Sequence, residues 1–223
     1  MKSIIIITTF FMIIFSNSLL AQDQKKWQVG IGGVMSNPEK IIGYDFDMKG
    51  WGLSGYAFYE IYKDWVYLGI QADYIKNKYG LTIDTSLKYS RTDYTDFVPI
   101  NAALKINHDF GIISIYVEAF EGFVLAHNKT DFRYYGNKFA ADNGTKSNFQ
   151  DYGIGAGACL KLDEIFELNN FKNLDFFIEV RRAIGRDLKA YDAVFDNNFH
   201  IVYTLKQTSY VLNLLSTGLN YRF

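Results

Sequence analysis

Apolar and polar residues alternate along most of this sequence with a period of two, the periodicity of a β-strand with two unlike faces. Eight such segments lie near 27–35, 51–61, 66–75, 97–106, 113–125, 151–162, 174–184 and 210–223. Each approaches or exceeds the roughly 9–11 residues that a tilted strand needs to cross the hydrocarbon of a bilayer. The pattern therefore predicts eight strands of membrane-spanning length.

The connections between these segments alternate in length. They are short at 62–64, 107–111 and 163–173, and long at 36–50, 76–96, 126–150 and 185–209. Short periplasmic turns and longer outer loops are typical of bacterial outer-membrane barrels with an even number of strands. The sequence thus predicts an all-β, eight-stranded antiparallel up-and-down transmembrane β-barrel in the outer membrane. Both termini are expected in the periplasm.

The two faces of the predicted strands differ in charge. On the apolar face only Glu121 and Arg182 are charged, whereas the opposite face carries Glu60, Asp73, Lys105, Glu118, Asp151, Lys161, Asp175, Glu179, Arg181 and Arg222. A basic residue facing lipid at mid-depth costs about 2–4 kcal/mol, so we expect the apolar face to meet lipid. Glu121 then faces lipid unless a bulge near Gly122 shifts the register. Arg182 is close enough to the outer interface to reach polar surroundings.

A soluble lipocalin-like barrel is the alternative, because it turns the apolar face inward. Aromatic residues cluster at both predicted membrane boundaries, as aromatic girdles require: Trp27, Tyr59, Trp65, Tyr221 and Phe223 on the periplasmic side, and Trp51, Tyr74 and Tyr152 on the outer side. The charged face also holds most strand glycines, which suit a narrow lumen filled by large neighbours. Both features favour the membrane barrel.

The first residues predict a secretory signal peptide. Lys2 precedes an apolar run over 4–15, and Leu19-Leu20-Ala21 offers a small-residue cleavage site. We therefore assign 1–21 to the signal peptide and 22–223 to a single barrel domain. The net charge of −1 gives no electrostatic argument for nucleic-acid binding.

Five short segments resemble PorT-like outer-membrane β-barrels of Bacteroidetes-type bacteria: FVPINAALK at 97–105, IYVEA at 115–119, DYGIGAGA at 151–158, FIEVRRAIG at 177–185 and YRF at 221–223. The sequence departs from the family at Phe120-Glu121, where a small residue and Pro are usual. The resemblance implies an eight-stranded barrel inserted by the outer-membrane assembly machinery. Some members of the family are accessory parts of a protein secretion and gliding system.

Glu118, Glu179 and Arg181 share the predicted inner face, with Asp151 on the strand between them. An eight-stranded barrel is just wide enough for its own side chains, and buried charges need partners. We therefore predict that these four residues form a polar network that fills the lumen. A conducting pore is the rival interpretation, but porins use more strands.

Candidate catalytic residues are few. Of His108, His127 and His200, the first falls in a periplasmic turn, and no spacing pairs the others with Asp131, Ser147 or Asp196. A lipid- or peptide-modifying enzyme at the barrel rim remains an alternative. The sequence shows neither a metal-ligand spacing nor a cofactor motif. We therefore expect a non-enzymatic protein without a cofactor.

The third long connection mixes aromatic residues with a base. It carries Phe132, Arg133, Tyr134, Tyr135 and Phe139, residue types that suit recognition of a protein or glycan partner. Alternatively, these residues fold onto neighbouring loops or extend the barrel wall. The predicted function is a structural or binding role through the outer loops. The expected partners are membrane lipid, the assembly machinery and a loop-bound ligand.

Overall fold

The computed structural model describes residues 27–41, 49–63, 65–84, 89–134, 137–166, 173–195 and 201–223. They contain β1 (Trp27–Ile41), β2 (Gly50–Tyr62), β3 (Val66–Asp84), β4 (Tyr89–Asp109), β5 (Ile113–Tyr134), β6 (Asn137–Lys161), α1 (Leu162–Phe166), β7 (Leu174–Phe195) and β8 (Ile201–Arg222). Each strand pairs antiparallel with the next, and β8 pairs with β1 to close the barrel. The predicted eight-stranded antiparallel barrel is confirmed. The predicted signal peptide lies outside the described residues.

The strands are steeply tilted. A path through directly paired residues runs from Trp27 through Tyr59, Leu68, Leu104, Ala119, Ile154, Arg182 and Asn213. It returns to β1 at Asn37, which is 37 − 27 = 10 residues further along the strand. In an eight-stranded barrel this stagger corresponds to a tilt of about 40°, which leaves an interior just wide enough for side chains.

The apolar face points outward, as the alternation predicts. On β3, Ile70 is 61% exposed while its neighbour Gln71 is 2% exposed. Exposed aromatic side chains bound the apolar belt, with Trp27 and Tyr221 near the end that carries the chain termini and Trp51 and Tyr74 near the opposite end. The inverted arrangement of a soluble lipocalin-like barrel is therefore wrong for this chain. Within the described ranges, no α-helix is long and apolar enough to span a bilayer.

Both charges of the apolar face do point outward. The pairs Asn101↔Gly122 and Ala102↔Glu121 continue the ladder of β4 and β5 without a shift, so the possible bulge near Gly122 does not occur. The pairing with β6 is equally regular at this point. Glu121 is exposed on the outer face, directly opposite Ala102.

Three of the four predicted long loops are largely strand. The hairpins end at the pairs Asp84↔Tyr89, Tyr134↔Asn137 and Phe195↔Ile201. β6 and β7, in contrast, pair only over Asp151–Lys161, so the β5–β6 and β7–β8 hairpins separate beyond that point. Outside the bilayer, water can contact both faces of a β-ribbon. A strand in that region therefore does not require alternating apolar residues. The alternation therefore predicts only the membrane-spanning part of each strand.

Candidate functional site

Arg181 is the centre of the polar network inside the barrel. It lies on the inner face of β7 and is 1% exposed. Its two terminal nitrogens donate to Asp73 Oδ2 at 2.9 Å and to Asp73 Oδ1 at 3.0 Å, across the lumen on β3. Its Nε lies 2.5 Å from Glu179 Oε1, and a further bond reaches Ser216 Oγ at 3.0 Å. This two-pronged pairing with a carboxylate is the strong geometry for a guanidinium.

The strands bring these groups together because of their parity and because β6 leaves room. Glu179 and Arg181 are two residues apart on β7 and therefore share its inner face. Arg181 is directly opposite Gly155 on β6. A Cβ atom at Gly155 would lie 2.8 Å from Arg181 Cγ and 2.9 Å from Glu118 Cγ. A glycine at this position is what allows the two long side chains to meet.

Two more carboxylate contacts complete this level of the lumen. Gln71 Nε2 donates to Glu118 Oε2 at 2.8 Å, and the Tyr116 hydroxyl donates to Glu179 Oε2 at 2.8 Å. All four residues are buried. Glu118 and Glu179 are thus linked to Arg181 directly or through Gln71, which also accepts from Arg181 at 3.4 Å.

Asp151 also lies on the inner face, but its partners are Tyr210 and Asn101 rather than Arg181. The Tyr210 hydroxyl donates to its Oδ2 at 3.4 Å. The amide of Asn101, oriented with its nitrogen towards the carboxylate, donates to Oδ1 at 2.9 Å. Of the four residues predicted to form the network, Glu118 and Glu179 meet Arg181, whereas Asp151 belongs to this neighbouring cluster.

The pattern of the sequence did not predict the surroundings of Lys105. Its Nζ donates to Gln28 Oε1 at 2.7 Å. The ammonium lies within cation–π range of the ring centroids of four inward-facing aromatic residues: Tyr116 at 4.0 Å, Phe58 at 5.2 Å, Tyr56 at 5.6 Å and Tyr67 at 5.9 Å. The aromatic rings therefore hold a second buried cation, nearer than Arg181 to the end of the barrel that carries the chain termini.

Charge pairs also close the end of the lumen that lies nearest the chain termini. Asp175 accepts from Asn220 Nδ2 and from Arg222, both at 3.0 Å. Lys161 binds Asp109 at 2.8 Å and Glu164 at 3.2 Å, which ties β6 to the end of β4 and to α1. Side chains thus occupy the lumen at each described level, as the predicted filled interior requires.

The candidate partner-binding residues lie in the β5–β6 hairpin. Phe132 pairs with Phe139, and Arg133 pairs with Lys138, so this part of the chain extends the barrel wall as a β-ribbon. Tyr135 lies outside the described residues, and so do the side chains of 128–145. Their role in binding a partner stays a prediction.

The histidines are dispersed among different surroundings. His108, at the end of β4, contacts Trp65 and Phe110, with ring centroids 5.3 Å and 4.5 Å away. His127 lies on the outer face of β5, opposite Asp96 and Lys146. Ser147 is buried on the inner face of β6, so the barrel wall separates it from His127.

The remaining candidate catalytic groups fall outside the part of the chain that the structure describes. His200 and Asp196 lie outside the described ranges, and so does the side chain of Asp131. In the part of the chain that the structure describes, no group of three or more His, Cys, Asp or Glu residues could hold a metal ion.

No protein-family model matches the sequence, and no curated protein matches it. Among solved structures, the chain is similar to the outer membrane protein OprG from Pseudomonas aeruginosa, with a TM-score of 0.53 and 11% identity over 89% of this chain and 95% of that one. It is also similar to Ail, the attachment invasion locus protein of Yersinia pestis (TM-score 0.48, 16% identity, 90% and 99% covered). A third similar structure is the outer membrane protease OmpT from Escherichia coli (TM-score 0.46, 10% identity, 90% and 97% covered). At these identities the likeness shows the fold alone.

Proposed function

We propose that this protein is a non-enzymatic barrel of the bacterial outer membrane that binds a partner through the outer ends of its strands. The apolar belt between two aromatic girdles supports the membrane location. The filled lumen argues against a role as an open pore. Both termini are then periplasmic, because the short turns and α1 lie at the same end as the termini.

The observation that carries this proposal is the continuation of β5 and β6 beyond the outer girdle, to Tyr134 and Asn137. A paired ribbon has a defined backbone, and a backbone ordered before binding lowers the entropic penalty of association. The tip of this ribbon carries Phe132, Arg133 and Phe139, and aromatic and arginine side chains contribute most to interface energies. The partner is a protein or a glycan.

The resemblance to PorT-like barrels suggests a more specific form of this proposal. In that form the protein is an accessory component of a protein secretion and gliding system, and the outer-membrane assembly machinery inserts it. The short motifs at 97–105 and 177–185 support the resemblance. In this form of the proposal, the partner at the outer ribbon is a component of the secretion system.

Removing the side chains at the ribbon tip should weaken partner binding strongly and leave the barrel intact. The test variant combines Phe132→Ala, Arg133→Ala, Tyr134→Ala and Phe139→Ala. The control combines Tyr191→Ala, Phe195→Ala and Tyr203→Ala in the β7–β8 hairpin. We expect affinity capture from detergent-solubilised outer membranes to recover the partner with the control but roughly tenfold less with the test variant, as for loss of an interface hot spot.

The identity of the recovered protein decides between the two forms of the proposal. Secretion components captured by the control and lost with the test variant support the accessory role. Equal recovery by both variants would contradict binding at the β5–β6 ribbon.

A further inference from the structure

Glu121 is a carboxylate on the apolar, outward-facing surface of the barrel. It lies in the apolar belt of β5, exposed, between Ala102 on β4 and Tyr152 on β6. No described residue makes a hydrogen bond or ion pair with it. An ionisable side chain at membrane depth is energetically unfavourable and marks a functional contact by default.

Arg182 is the other charge of the apolar belt. Its guanidinium donates to Glu39 at 2.6 Å, and Asn213 donates to the second oxygen of Glu39 at 2.8 Å. The Arg182 side chain is nevertheless 53% exposed. Because a guanidinium has five donors, the single bond to Glu39 leaves donors free to bind a second carboxylate.

Glu121 and Arg182 lie on either side of β6 at nearly the same depth. Glu121 is opposite Tyr152, which is opposite Ile184, two residues beyond Arg182 on β7. Because the strands are tilted by about 40°, the path from Glu121 across β6 to Ile184 rises by about 6 Å along the barrel axis. Going back along β7 from Ile184 to Arg182 descends by about 5 Å. The two Cα atoms therefore differ in depth by about 1 Å, one strand to each side of β6.

We propose that two copies of this chain associate in the membrane through the surface formed by β5, β6 and β7. A two-fold axis parallel to the membrane normal would pass beside β6, so that β5 of each copy faces β7 of the other. Such an interface is isologous: each contact occurs twice. Glu121 of either copy then meets Arg182 of the other, and two equivalent ion pairs form.

The surface between the two charges fits this arrangement. Ile154, 67% exposed, and Tyr152, 42% exposed, stand on β6 next to the proposed axis. Ala119 and Ala156 lie beside them and let the two walls approach closely. A lipid phosphate would satisfy Arg182 but repel Glu121. A second copy carries both complementary charges at matching depth, which makes it the occupant that the charges favour.

The test uses charge reversal in the full-length chain reconstituted in phospholipid vesicles. Copies with Glu121→Arg carry two positive charges on this surface, and copies with Arg182→Glu carry two negative charges. Like charges facing each other across an interface oppose association. We expect the dimer fraction, measured by energy transfer between labelled copies, to fall roughly tenfold for each variant alone. Mixing the two variants should restore pairing, because each repulsive contact becomes attractive.

Two controls keep the result interpretable. Lys76→Glu reverses an outward charge on β3, away from the proposed surface, and should leave the dimer fraction unchanged. If Arg182→Glu alone does not fold because of Glu39, combining it with Glu39→Lys restores the local pair with its signs exchanged. Heat-modifiable migration in gels confirms folding of each variant.

A wild-type chain that stays monomeric at every protein-to-lipid ratio overturns the dimer. Loss of pairing that mixing does not restore also overturns it. The inference depends on the membrane location proposed above and not on the role of the outer ribbon. If the proposed membrane location is wrong, cell fractionation will show it independently, because the protein will be recovered in the soluble fraction.

Discussion

Replacement of Arg181 by methionine is expected to lower the free energy of unfolding by about 3–5 kcal/mol. The substitution leaves Asp73 and Glu179 buried without their cation, while the methionine retains much of the side-chain volume. Both carboxylates are at most 3% exposed, so water cannot replace the guanidinium. An unpaired buried charge is the costly product of breaking such a pair, and its cost approaches the whole stability of many domains.

Urea unfolding in phospholipid bilayers, followed by tryptophan fluorescence, measures this effect. Lys161→Met is the control, since it also removes a cation but breaks only ion pairs with the exposed Asp109 and Glu164, and such pairs contribute about 0–1 kcal/mol. Adding Asp73→Asn and Glu179→Gln to Arg181→Met should recover part of the loss, because neutral groups no longer need a counter-charge. Unfolding of Arg181→Met at the wild-type urea concentration would contradict a network centred on Arg181.

An arginine at position 70 should destabilise the barrel by about 2–4 kcal/mol in a bilayer. Ile70 points outward and lies about midway between Trp65 and Tyr74, which stand at opposite boundaries of the apolar belt. A guanidinium at that depth either loses its hydration or draws water into the hydrocarbon.

Tyr74→Arg supplies the comparison, on the same strand and the same face. At the outer boundary the expected penalty is only about 0–1 kcal/mol, because the side chain reaches the headgroups. Both variants are unfolded from the same bilayers. Equal, small penalties at 70 and 74 would mean that water rather than lipid surrounds the barrel.

The membrane-spanning part of the fold was predictable because the environment imposes a simple rule on every second residue. Val66, Leu68 and Ile70 alternate with Tyr67, Gly69 and Gln71 along β3. In the structure the first three side chains are more exposed than Tyr67 and Gln71, which are buried. Lipid tolerates almost no charge on the outer face, so parity alone distinguishes the two faces.

The contacts across the lumen could not be predicted in the same way. Parity places Asp73 and Arg181 on the inner face, but their meeting depends on the stagger of 10 residues around the barrel. The four rings around Lys105 depend on the same geometry, since they come from three different strands. Glu39, the partner of Arg182, lies beyond the predicted end of β1.

The extent of the hairpins was underestimated for a different reason. Residues such as Lys129 and Asp131 show no apolar alternation, because water can meet both sides of the ribbon at this height. Their backbone nevertheless continues the pairing with β4, through Tyr94↔Lys129 and Thr92↔Asp131. Hydrogen bonding of the backbone, rather than side-chain polarity, determines the length of these strands.

The most direct test is a depth profile of the outer face of β3 by spin labelling. In a Cys159→Ser background, single cysteines at Leu68, Ile70, Ala72, Tyr74 and Lys76 place a nitroxide at successive outward positions. Oxygen concentrates in hydrocarbon and polar nickel complexes stay in water, so the ratio of their collision rates reports depth. We expect oxygen collisions to dominate at Ile70 and nickel accessibility to rise towards Lys76. High and equal nickel accessibility at all five positions would contradict an outer face immersed in lipid.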